Sequence, residues 1–484
     1  MDLAAEGPVS PTIQVKAAMA AATAGTSTRA NRNKSFVFDH VSPRESKVAP
    51  LLGIYLGFAV ARVHERFPFL EVPYLLWTMM AVMLLTLYSA IPRGGLQKAW
   101  QNSPQLRLVA TLGVLAIITV PLGIWMQGAL DYLINRFTIA IAVYLACLFL
   151  LRDNKSLRRV VTIFVAMATV VAVANVLGYF NHDVSLTMMS PEERLIYQQT
   201  GEFSQEAMRQ TFGSLDPNDL AAVMATTLPL ALWLATGSFV RRMIWTPCAM
   251  VMAIGVVPTQ SRGGLLGLAA AAVVLILVGT RGFKRIAMAG TLTIGALAFM
   301  QLAGDRIGNI SGEDYNFTQS EGRIAIWKRG IVWTIKRPWG YGLNNFPYYF
   351  GLLNGPDRAA HNSLIQYSVE LGVLGISAYL LICASLVKSL LKIRQNAIKR
   401  GREGQELATL SGHILAMLAA CWTTGFFLSN AYYPLTYMAL GIGSAVVLSR
   451  IGSNDATMAA AAPPPIPTGP AGRRRRQFKA FQAA

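Results

Sequence analysis

Gly263–Thr280 reads GGLLGLAAAAVVLILVGT, with no Asp, Glu, Lys or Arg. At about 1.5 Å per residue a helix of that length spans roughly 27 Å, close to the thickness of a bilayer's hydrocarbon core. Ala221–Val240 and Ile286–Gly304 repeat the pattern, each free of charged residues. Over all 484 residues 53% are hydrophobic and 14% charged, against about 25% charged in an ordinary soluble domain. Those proportions exclude a single water-soluble fold, and collagenous, coiled-coil, disulfide-scaffold and wholly disordered classes with it. Lys and Arg (43) exceed Asp and Glu (24), giving a formal +19. In a soluble chain that excess points to nucleic acid. In a membrane protein it reflects the Lys and Arg that collect in cytoplasmic loops, and no nucleic-acid partner is expected. The chain reads as an all-α polytopic membrane protein.

About twelve hydrophobic spans are predicted, near 49–66, 73–91, 106–126, 134–151, 159–180, 218–237, 243–259, 263–280, 286–303, 362–387, 409–429 and 431–449. Residues 1–48 carry scattered bases and no apolar core before a cleavage site, so they read as a disordered cytoplasmic extension rather than a signal peptide. Residues 450–484 pass through a Pro-rich stretch to Arg473–Arg476 and read as a basic cytoplasmic tail facing anionic membrane lipids. With the N-terminus inside, the loops assigned to the cytoplasm hold Arg152, Lys155, Arg158, Arg241, Arg242, Arg281, Lys392, Arg394 and Arg400. The short outer loops around 127–133 and 429–433 hold no Lys or Arg, and Arg62 and Arg66 are exceptions at an outer end. Both termini are therefore expected in the cytoplasm. Two long loops, 181–217 and 304–360, fall outside. Within the second, Gly322–Pro338 has Ile324, Trp327, Ile331 and Ile335 at helical spacing among Arg323, Lys328, Arg329 and Lys336. An interfacial helix and a cap packed on protein both satisfy that pattern.

Ionisable side chains are nearly absent from the apolar centres of the spans; Glu370 is the exception, with His413 near an end. An ion-coupled transporter would place paired charges there. Polar chemistry gathers instead in four segments on the outer side. Arg209–Asp219 (RQTFGSLDPND) leads into a span, with Asp216 or Asn218 as helix cap. Thr259–Gly264 (TQSRGG) places Arg262 at a helix start, where unpaired N–H groups and a planar guanidinium suit a phosphate; an interfacial Arg that only snorkels also satisfies the pattern. Glu321–Asn345 holds Arg323, Trp327 and the run Pro338-Trp-Gly-Tyr-Gly342, whose glycines suit either a loop over a polar ligand or an ordinary turn. Ala360–Gly375 begins with His361, a lone histidine that reads either as structural or, since its ordinary pKa suits proton transfer near neutral pH, as a general base. Glu370, nine residues on, lies half a turn away and about 13 Å along a straight helix, too far to orient His361. The cysteines Cys147, Cys248, Cys383 and Cys421 form no metal-ligand spacing and read as buried thiols.

In this order, Arg209 with Gly213 and Asn218, then Gln260-Ser-Arg-Gly263, then Gly322-Arg323 with Trp327, then the Pro-Trp-Gly-Tyr-Gly run, then His361-Asn362 before Glu-Leu-Gly-Val-Leu-Gly, the chain resembles the bacterial O-antigen ligase/polymerase family. The resemblance covers about residues 200–380 by motif. It implies a metal-independent glycosyltransferase without a cofactor, working at the periplasmic face of the inner membrane. The implied donor is an undecaprenyl-pyrophosphate-linked glycan. The implied acceptor is a glycolipid, lipid A–core, in a ligase of lipopolysaccharide biosynthesis. In a polymerase it is a lipid-linked glycan, and in a third branch a protein. On this reading Arg209, Arg262 and Arg323 bind substrate and His361 is catalytic. A lipid or glycan flippase without catalysis is the rival from another class.

Overall fold

The computed structural model describes residues 43–279 and 322–461, except 67–69, 71–73, 92–93, 152, 182, 184, 186, 188–198, 201–208 and 356. The expected ninth span, 286–303, lies outside the described residues, as do both terminal extensions up to 42 and beyond 461. The described chain is helical, with isolated bridges at Thr187–Gln210 and Phe212–Leu215 and no strand among the described residues. In order the helices are α1 (Pro43–Ala59), α2 (Leu75–Ala90), α3 (Gly95–Asn102), α4 (Pro104–Thr119), α5 (Met126–Leu150) and α6 (Asn154–Phe180). They continue as α7 (Pro217–Leu234), α8 (Phe239–Gly255), α9 (Arg262–Gly279), α10 (Arg323–Lys336) and α11 (Phe346–Asn354). The last four are α12 (Ser363–Glu370), α13 (Gly372–Lys399), α14 (Gln405–Phe426) and α15 (Pro434–Ala461).

By length and composition four helices can cross a membrane: Met126–Leu150, Asn154–Phe180, Gly372–Lys399 and Gly401–Phe426. A fifth is added if α2 and α3, which meet at 94°, form one broken span. Shorter apolar helices, Val48–Ala59, Pro104–Thr119, Arg262–Val278 and Pro434–Ser449, pack among them. α7 is buried on nearly every side, as an all-round apolar helix must be, and it packs on α6, α8, α9 and α14. The periphery is apolar as well: Leu85, Ile117, Leu177, Met243, Leu277 and Leu374 are all exposed. A soluble monomer rarely shows so large an apolar surface; facing lipid, it carries no penalty. This is a membrane protein.

The loops sort into two ends. At one, Glu65 reaches Ser214, Arg209 reaches Thr259, Trp125 reaches Asn345, Arg323 reaches Phe427 and His361 reaches Ser429. At the other, Asn154 and Arg158 bond Glu406, and Arg394 donates to the Val278 carbonyl. Arg62, an exception in the charge pattern, is paired with Glu65 at 2.6 Å.

Residues 362–387, expected as one straight span, are broken at Leu371. Gly372 has φ +72, and the next residue, Val373, donates its N–H to the Pro338 carbonyl instead of continuing α12. Glycine tolerates that left-handed backbone at no steric cost. The short helix α11 has no counterpart in the sequence reading, because its FPYYFGLLN run is aromatic rather than periodic.

Candidate active site

The connector Phe427–Tyr433, between α14 and α15, is the hub of the His361 end. Each charged segment reaches it or reaches a neighbour of it.

Arg209 is nearly buried. Its Nε donates to the Thr259 carbonyl at 3.1 Å and one Nη to Asn218 Oδ1 at 2.9 Å. Asp216 is the cap of α7, accepting from the Asn218 and Asp219 N–H groups at 2.6 and 2.9 Å. Asn218 is therefore the partner of Arg209 rather than the cap. The two contacts fix the guanidinium against the turn that precedes Arg262. That turn is strained: Gln260 has φ +50, a rare conformation for a residue with a side chain. Thr259 Oγ1 accepts from Ser261 N–H at 3.3 Å, and Ser261 Oγ accepts from Gly264 N–H at 3.2 Å, which caps α9. Arg262 is thereby the first residue of a capped helix, half-buried. A Cβ on Gly263 would lie 3.1 Å from Phe427 Cβ, so α9 starts directly against the connector.

Arg323 opens α10 and points to the same place, its Nη1 donating to the Phe427 carbonyl at 3.4 Å. Trp327, one turn on, donates from Nε1 to the Ala360 carbonyl at 2.9 Å and packs edge-on to Phe426. His361 follows with φ +47; its backbone N–H donates to Ser429 Oγ at 2.9 Å. Asn362 caps α12, accepting from Leu364 and Ile365 N–H groups, and Ser363 Oγ bridges the connector by donating to Leu428 O and accepting from Asn430 N–H. His361 therefore sits in a left-handed kink clamped from both sides, where non-glycine strain is costly and tends to mark function. The structure brings Arg209, Arg262, Arg323 and His361 to one end around one short connector.

Two expectations take a different form. α10 exists, but its protein-facing residues are Ile326, Gly330 and Trp333, while Ile331 and Ile335 are exposed. The helix is thus both a cap, against α11 and α12, and an amphipathic element with an open apolar face. The Pro338–Gly342 glycines serve packing rather than a ligand cradle. Tyr341 and Gly342 N–H groups donate to the Val369 and Glu370 carbonyls, and Val373 N–H donates to Pro338 O. Burial, with a hydrogen bond to Tyr349, pushes the Tyr341 hydroxyl up to about 12, so it stays protonated. Glu370 is fully buried; its Oε1 accepts the Phe346 N–H at 3.3 Å, capping α11, which makes it structural and not a partner of His361.

A measurable consequence follows at Gly340. It has φ +93, and a Cβ there would lie 2.4 Å from the Glu370 carbonyl oxygen. Gly340→Ala is expected to cost at least about 3 kcal/mol, backbone strain of roughly 1–3 kcal/mol plus a main-chain overlap. Gly401→Ala, with φ +63 and open space, is expected to cost only the strain. Thermal unfolding of both variants in detergent checks the order; equal midpoints would show that loop 338–342 does not dock as described.

A family model described as O-Antigen ligase matches residues 247–380. Over that stretch the chain is similar to the O-antigen ligase family. The match takes in Arg262, Arg323 and His361, whereas Arg209 precedes it in sequence and meets it in space through Thr259. A search of curated proteins finds no match to the chain. The connector Phe427–Tyr433, which lies beyond the matched residues, was legible in the sequence only as a short outer loop, because it holds no charged residue. Its signal is a run of polar and aromatic residues, Ser429-Asn-Ala-Tyr-Tyr433, between two apolar spans.

Proposed function

We propose that the chain is a glycosyltransferase that moves a glycan from undecaprenyl pyrophosphate to an acceptor hydroxyl, as an O-antigen ligase with lipid A–core as acceptor. The observation that carries this reading is that Arg323 and His361 bond the Phe427–Ser429 connector, Arg262 opens the helix that abuts it and Arg209 is held by the turn before that helix, within and beside the stretch similar to O-antigen ligases. The twelve-span layout, with cytoplasmic termini, loops 181–217 and 304–360 outside and the His361 end facing the periplasm of the inner membrane, belongs to the same proposal. His361 takes the proton of the acceptor hydroxyl, and the hydroxyl oxygen attacks the anomeric carbon. The bond from that carbon to the pyrophosphate oxygen breaks with its electron pair on the leaving group. One displacement inverts the anomeric centre. Charge grows on the departing pyrophosphate as the bond breaks, and Arg209 and Arg262, with Arg323, stabilise it through charge-assisted hydrogen bonds. Arginines do this without a divalent cation.

Purified protein incubated with labelled lipid-linked glycan and with lipid A–core, a second lipid-linked glycan, or no acceptor tests the proposal. Transfer to lipid A–core that persists in EDTA is expected. Product only on the second glycan makes the protein a polymerase, and movement of donor between leaflets without product makes it a transporter. Sidedness has its own test. A cysteine at exposed Leu353 is expected to react with an impermeant maleimide added to the periplasmic side, and one at exposed Asn396 is not. The reverse pattern inverts the orientation.

A further inference from the structure

A cavity of about 470 Å³ opens beside the connector, between the ends of α1, α2, α5 and α15. That volume is in the range of ligand pockets, roughly 300–1,000 Å³. Its polar lining includes Arg62, Arg136 and Tyr433, and its apolar lining Leu76, Trp77 and Ile139. None of these residues belongs to the arginine–histidine cluster described above.

Three independent features make it a built site for an anion with a tail. Arg136 lies on a π-helical turn, Leu133–Phe137, that interrupts α5. Such single turns carry an extra residue, rotate the side chains around them and recur at functional sites. The Arg136 side chain is exposed, and no hydrogen bond or ion pair holds it among the described residues. Arg62, held in a left-handed conformation (φ +53), has one carboxylate partner, Glu65, whose oxygens also accept from the Ser214 N–H and hydroxyl. The two guanidiniums face Glu65 and Asp219, which interacts with Arg62 and Tyr433, and Arg136 is the one of the pair that no carboxylate holds among the described residues. Tyr433 supplies the third feature. Its hydroxyl is buried and has no hydrogen-bond partner, a cost of about 1–3 kcal/mol that a ligand oxygen would relieve.

We propose that this cavity binds the phosphate of an anionic lipid. The phosphate oxygens take the Arg136 and Arg62 guanidinium N–H groups and the Tyr433 hydroxyl, and the hydrocarbon lies along Leu76, Trp77 and Ile139. Arginine forks match phosphate geometry, and a tail needs the apolar wall. The site adjoins the candidate active site without overlapping it. Tyr433 N–H donates to the Asn430 carbonyl at 3.2 Å, and Ser429 of the same connector holds His361. A bound lipid would therefore order the connector that positions His361. The binding claim does not depend on the transferase reading.

The test is native mass spectrometry of the full-length protein released from detergent, titrated with phosphatidylglycerol, undecaprenyl phosphate or phosphatidylcholine. Phosphatidylcholine has a phosphate and tails but no net charge. One saturable site for an anionic lipid is expected, weakened roughly tenfold in Arg136→Gln, the loss of one hydrogen bond to a charged group. Arg136→Lys is expected to fall between the two, and Tyr433→Phe to weaken binding less. Tighter binding of undecaprenyl phosphate makes the tail polyprenyl, and tighter phosphatidylglycerol makes it a glycerolipid; either supports the site. Equal affinity in wild type and Arg136→Gln, with both at the same melting midpoint, overturns it, as does equal retention of phosphatidylcholine. No transfer is read in this experiment, so a failed transferase assay leaves its outcome intact.

Discussion

His361→Ala is expected to lower turnover by roughly 10²–10⁴-fold while donor affinity stays nearly unchanged, the signature of a lost general base. The separation follows from placement. The His361 backbone is fixed by Ser429 and by the Asn362 cap, contacts that do not involve the imidazole, so the alanine variant is expected to keep the kink while the imidazole is removed. Binding of labelled lipid-linked glycan and single-turnover transfer are to be measured separately, on protein of equal yield. A variant that turns over normally removes His361 from the chemistry and leaves it as the residue that sets the kink before α12.

Arg262→Ala is expected to behave differently: donor binding weakens by roughly tenfold or more, and turnover falls with it. On the proposed mechanism, the guanidinium at the capped start of α9 meets the pyrophosphate before the transition state as well as in it. Arg262→Lys restores the charge but not the planar fork, so its affinity is expected between the two. The α9 cap rests on Ser261 and Thr259, so the fold of this end is expected to survive both substitutions. Lysine equal to arginine would mean that charge alone holds the donor, and alanine equal to wild type would remove Arg262 from the site.

Much of this arrangement can be read from the chain before any coordinates. Apolar stretches such as Gly263–Thr280 dictate membrane helices, and α9 begins at Arg262, where the TQSRGG turn places it. The four charged segments were legible because charge is rare here and its position stands out. Long-range pairing was not. Nothing local says that Glu370 caps α11 instead of packing between spans, or that Gly340 and Gly372 exist for each other, since a Cβ on Gly372 would lie 2.2 Å from the Pro338 carbonyl oxygen. The break at Leu371 falls inside a stretch long enough for one span, and periodicity alone cannot locate it. Similarly, α10 keeps its predicted bounds, yet its buried face is rotated from Ile324, Ile331 and Ile335 to Ile326, Gly330 and Trp333. The reason is tertiary: Gly330 is small enough to let Ile365 approach, its Cβ position lying 2.4 Å from Ile365 Cγ2. The π turn at Leu133–Phe137 is equally silent in a hydropathy profile.

The central claim is that the donor sits at the His361 end, against the connector. A benzophenone amino acid in place of Phe426, which is exposed and packs on Trp327, puts a photocrosslinker there; one in place of exposed Phe239, at the start of α8, serves as comparison. Irradiation with labelled lipid-linked glycan is expected to mark the protein through position 426, competed by undecaprenyl pyrophosphate, and to leave position 239 unmarked. Labelling at 239 alone, or at both positions without competition, would contradict the account.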